Sequence, residues 1–135
     1  MADLYSNILV KESLAIATRT ASANGTAVDR GEDSSDFQSA MVVVHTGTIT
    51  DGTHTIEVQD SDASGSGFAA VADSYLQGSE PAIVAADDNK IFEIGYLGPK
   101  RYLRVIVTAA GTTSGGTYGA TVILGDPADA PVIRN

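Results

Sequence analysis

Few side chains in this sequence are of types that do chemistry, and the first to weigh are His45, His54 and Glu57. Two imidazoles and a carboxylate are zinc ligands, and if residues 39–46 and 53–59 pair as a hairpin around Asp51-Gly52, the two histidines fall on adjacent strands. Zinc motifs are normally more tightly spaced, and a strand histidine is ordinarily a surface or hydrogen-bonded residue, so no metal is assigned. Asp60 and Asp62 alternate before Gly65 and Gly67 like the opening of a calcium loop, yet the twelfth position is Val71, where that loop needs a carboxylate. The pattern is that of an acidic turn.

Other constellations fail for similar reasons. Gly111, Gly115, Gly116 and Gly119 lack the GK[ST] sequence and the strand-to-helix transition of a phosphate loop. No serine occupies a G-x-S-x-G elbow. Asp87-Asp88 or Asp60 and Asp62 would serve glycoside hydrolysis only across a cleft with aromatic platforms, and the chain has no Trp. The expectation is a protein that is not an enzyme, with no catalytic residue and no cofactor.

Composition narrows the partners. Lys+Arg is 8 against 17 Asp+Glu, and a net charge of -9 repels a phosphate backbone, so nucleic acid is not expected. No apolar run approaches the roughly 20 residues of a membrane span, and no basic stretch followed by an apolar one marks a signal peptide, so no membrane partner is expected and synthesis is placed in the cytoplasm. With no cysteine, disulfides, thiol catalysis and Cys-based metal sites are excluded.

Elements follow from period-two alternation. Residues 90–125 read as three strands in a meander of two hairpins, with Phe92, Ile94 and Tyr96, then Leu103, Val105 and Val107, then Ala120, Val122 and Leu124 each on one face. Residues 39–46, SAMVVVHT, read as a central strand buried on both faces. About eight strands at roughly ten-residue spacing, without a long helix, predict an all-β fold: an antiparallel β-sandwich or jelly roll. The expected organisation is an N-terminal arm over residues 1–12, a β-sandwich domain over 13–125, and an extended C-terminal tail over 126–135, which contains two prolines.

Lys100, Arg101 and Arg104 are the one concentration of positive charge. Arg104 is expected on a solvent face, paired with Glu93 across the hairpin; the alternative is contact with an acidic neighbouring subunit.

The succession IEVQDSDASGSGFAAVADSYL, FEIGYLGPKRYLRVIVTAAGT and YGATVILGDP, followed by a proline-containing tail, resembles small proteins of tailed bacteriophages and prophages. The resemblance spans about residues 42–131 and is strongest at 95–108. It implies a head decoration or cement protein, a β-sandwich or jelly-roll module that binds the outside of the assembled capsid as a homo-dimer or homo-trimer. The partners would be the major capsid protein and further copies of itself, and the location the virion exterior. Leu4, Ile8 and Leu9 in the arm, Arg101 and Arg104 in the basic stretch, and Val132 and Ile133 in the tail are the expected contact residues. Two alternatives stay open: a tail or head-tail connector subunit, and a carbohydrate-binding module using the rings of Tyr75, Tyr96, Tyr102 and Tyr118.

Overall fold

The computed structural model describes residues 3–31 and 36–132. They form eleven strands: β1 Leu9–Arg19, β2 Ala23–Asn24, β3 Val28–Asp29, β4 Phe37–Ile49, β5 Thr53–Ser61, β6 Ala69–Ala70, β7 Leu76–Gln77, β8 Ala82–Ile83, β9 Ile91–Tyr96, β10 Tyr102–Ala110 and β11 Gly116–Pro127. Three single turns of 3-10 helix, Tyr5–Asn7, Asp73–Tyr75 and Ala85–Asp87, interrupt them. The strands build two antiparallel sheets, one ordered β1-β11-β4-β9-β7 and the other β2-β10-β5-β6, with β3 on β10 and β8 on β5. The protein is an all-β sandwich.

Alternation places the core. Across the first sheet Leu9, Leu124, Ala40 and Tyr96 stand in register, as do Val122, Val42 and Ile94 in the next inward row, and all seven are buried. From the second sheet Leu103, Val105 and Val107 meet them, paired along β5 with Asp60, Val58 and Ile56. β-Branched residues dominate these rows because a pleated, half-buried surface suits their stiff side chains.

Four expectations about pairing are corrected. β9, β10 and β11 are not a meander: β9 and β11 belong to the first sheet and β10 to the second, so the chain crosses between layers at residues 97–101 and again at 111–115. β4 and β5 likewise lie in different sheets, and Asp51-Gly52 is a corner between layers and not a hairpin turn. β4 is central, but only its inward side is fully buried; Met41 and Val43 are partly open and His45 is exposed. Arg104 has no contact with Glu93 and is paired across β10 and β5 with Gln59, its Nε 2.9 Å from Gln59 Oε1. Alternation shows which side of a strand is apolar and is silent about which strand lies beside it.

The ends differ from the expected arms. β1 begins at Leu9, which is 6% exposed, so the segment outside the sandwich stops at Ile8. β11 continues through Pro127, opposite Phe37. Val132 is buried, and its amide donates to the carbonyl of Ser6 at 2.9 Å, folding the tail against the N-terminal segment. Ile133 lies outside the described residues.

Candidate functional site

The zinc-type residues do not converge. His45 is exposed on the outer side of the first sheet, His54 is fully buried between the layers, and Glu57 lies on the outer side of the second sheet. Among the described residues no group of three His, Asp or Glu side chains is placed to hold a metal ion. His54 is part of a polar pair inside the core: its Nδ1 lies 2.8 Å from the Tyr118 hydroxyl and its Nε2 3.1 Å from the Asp51 carbonyl. A carbonyl only accepts, so in the neutral ring Nε2 carries the proton and Nδ1 accepts from Tyr118. Burial pushes the Tyr118 phenol up to about 12, which keeps that hydroxyl a donor.

The acidic residues are structural too. Asp60 accepts from the buried Tyr96 hydroxyl at 2.7 Å, while Asp62 meets Lys100 at 2.9 Å. Burial, then the Asp60 acceptor, push the Tyr96 phenol well up. Asp87 caps the Val84 amide, which together with Lys90 lowers its pKa, and Asp88 accepts the Ile49 amide at 2.6 Å. Asp51 binds the amides of Thr113, Ser114 and Gly115, and those donors hold its carboxyl below the usual range.

The positive charges are answered within the chain. Arg101 grips Asp29 with Nε at 2.7 Å and a second nitrogen at 2.9 Å and lies over the Tyr102 ring; this pairing lowers the pKa of Asp29 and raises that of Arg101. Arg104 stacks on Phe68, its guanidinium carbon 4.5 Å from the ring centre. Of Tyr75, Tyr96, Tyr102 and Tyr118, Tyr96 and Tyr118 are core residues, so these four rings do not share one surface.

The two outer faces of the sandwich are chemically unlike. On the first sheet Val10, Ile123, Met41 and Gly95 form one outward row across β1, β11, β4 and β9, and Glu12, Thr121, Val43 and Glu93 form the next. A third row holds Gly119, His45 and Ile91, with Ile16 lying over Gly119. Ile16 is 70% exposed, Ile91 61% and Val10 51%. Beside Ile16 a hollow of about 270 Å³ opens above Gly47, bounded by His45, Asn89 and Thr117. On the second sheet the outward pairs are Arg104 with Gln59, Ile106 with Glu57, and Thr108 with Thr55, and Gln59 bonds both Arg104 and Glu57. That face is polar and internally bonded; the other exposes a connected set of branched aliphatic side chains, which is how interaction surfaces differ from ordinary protein surface.

The apolar face was not among the expected contact residues. Of those, Leu4 is 71% exposed and Ile8 partly so, Leu9 and Val132 are buried, Arg101 is exposed but paired, and Arg104 is partly buried beneath its own contacts. A signal for the face exists in the sequence: Met41, Val42, Val43 and Val44 are apolar on both sides of one strand, and Ile91 sits on the opposite side from Ile94. Among the described residues no helix is long and apolar enough to cross a membrane. No family model matches the chain, and a search of curated proteins finds no match either.

Proposed function

We propose that this chain is a virion structural protein, a decoration or cement module that binds the outside of an assembled phage capsid and stabilises it, without enzymatic activity. The observation that supports this reading is the unlike pair of outer faces: a sandwich with one bonded polar face and one exposed aliphatic face is suited to lie flat on another protein. The resemblance of residues 42–131 to small phage proteins supplies the class of partner, the major capsid protein, with further copies of the chain as neighbours in a dimer or trimer. The module is made in the host cytoplasm and joins the head there. Individually weak contacts, repeated at many lattice points, add through effective concentration.

Deleting the gene tests this reading. Heads lacking the protein should lose integrity at lower temperature than complete heads, and electron microscopy of particles labelled on this chain should show label over the shell. Unchanged heads after deletion, or label confined to the tail, would reject the head assignment; the second result would point to a connector or tail subunit.

A further inference from the structure

We infer that the outer face of the β1-β11-β4-β9 sheet is the docking face, and that its occupant is a different protein presenting an apolar centre flanked by Lys or Arg side chains. The inference rests on the proposed function, in which that protein forms the shell.

Three observations carry it. Val10, Ile16, Met41, Val43, Ile91 and Ile123 are placed together by register, and Val10, Ile16 and Ile91 are exposed, whereas the outward β5-β10 pairs Arg104 with Gln59, Ile106 with Glu57 and Thr108 with Thr55 carry one apolar residue, the partly buried Ile106. The hollow beside Ile16 lies on this face, where Gly47 contributes no side chain, so a partner side chain can enter between Ile16 and His45. The charge selects the occupant. Glu12 and Glu93 sit at the two ends of the middle row, three strand spacings or about 14 Å apart, with Thr121 and Val43 between them. Both are exposed, and among the described residues neither carboxylate enters a side-chain hydrogen bond or ion pair.

A second copy would bring the same two carboxylates, on a chain of net charge -9, against this face. Like charges brought together at an interface disfavour association, and a basic rim favours it. The complementary surface is therefore one with cations spaced to meet Glu12 and Glu93 around an apolar ridge.

The test uses heads carrying the full-length protein with a photoreactive phenylalanine at Ile16 or Ile91, and, as the opposite-face control, at Thr55 or Thr108. Cross-linking to the shell protein from positions 16 and 91, and not from 55 and 108, is the expected result. In parallel, Glu12→Lys with Glu93→Lys should weaken retention on heads at least about tenfold, while Glu57→Lys on the other face leaves it unchanged. All seven positions are on outward-facing sides, and circular dichroism and melting of each variant check the fold. Heads that carry the protein but cross-link only from 55 and 108, or only between copies of this chain, overturn the docking face and leave the proposed function standing. Heads that carry none of it overturn both.

Discussion

The hydroxyl of Ser13 accepts the amide of Val105 at 2.9 Å and donates to the carbonyl of Thr26 at 2.8 Å, tying the edge strand of one sheet to the middle of the other. Ser13 reaches inward because β1 bulges between Glu12 and Leu14, so that two successive residues, Ser13 and Leu14, are both buried. Ser13→Ala leaves the Val105 amide without its partner in the core. The expected loss is about 1–3 kcal/mol in urea unfolding, with an unchanged m-value. A loss below about 0.5 kcal/mol would show that this bridge is dispensable.

His54 and Tyr118 form a polar contact inside the sandwich, with ring centres 5.0 Å apart in an edge-on arrangement. Tyr118→Phe should cost about 1–3 kcal/mol, since Nδ1 of His54 then has no donor. Adding His54→Leu should recover part of that loss, because removing both polar partners is cheaper than orphaning one. Additive losses in the double-mutant cycle would contradict the pairing.

Asp51 contributes to the acid limb of stability through the turn at residues 113–115. The Ser114, Thr113 and Gly115 amides depress its folded pKa, so its contribution is present above the unfolded value of about 4 and is lost as pH falls through the lower folded value. Asp51→Asn should therefore lower the melting temperature at pH 7, and the difference from wild type should shrink as pH falls below the unfolded value of about 4. A constant difference across that range would mean that the carboxylate charge is not involved.

Glu80 has the opposite sign. Burial raises its pKa despite the 2.6 Å bond that its carboxylate accepts from the Val58 amide, with Glu57 and Asp73 adding repulsion. A raised folded pKa contributes stability fully present below the unfolded value and lost as pH rises through the folded one. Glu80→Gln keeps an acceptor for Val58 and removes the charge. Its melting temperature should exceed wild type at pH 7 and match it near about pH 4.

Gly115 is required by its backbone. Its φ is +75°, and an added Cβ would collide with the Arg19 carbonyl. Gly115→Ala should cost more than about 2 kcal/mol and loosen the end of β1, where Arg19 also donates to the Ala17 and Tyr118 carbonyls. Faster amide exchange at residues 116–119 would report it, and unchanged exchange would argue against it.

The strands themselves are legible in the sequence, because period-two burial is a local property: Ile94 and Tyr96, Leu103, Val105 and Val107, and Ala120, Val122 and Leu124 are core residues, as their alternation indicates. Leu9 illustrates the limit. It is spaced like an arm residue but pairs with Leu124, a partner 115 positions away that no local pattern reveals. Arg104 is similar, since alternation puts it outward but only the neighbouring strand decides that it meets Gln59 and Phe68 instead of Glu93.

What the sequence determined by itself was the all-β class, the inward side of most long strands and the acidic, cysteine-free character of the surface, all of which depend on residue type and short-range spacing. The tertiary structure alone decided that β4 and β5, β9 and β10, and β10 and β11 lie in different layers, that His45 and His54 are separated by a sheet, and that Val10, Ile16 and Ile91 share one exposed face. Those outcomes depend on which strands become neighbours. That choice is made by the packing of two whole sheets against one core, through contacts between residues far apart in the chain.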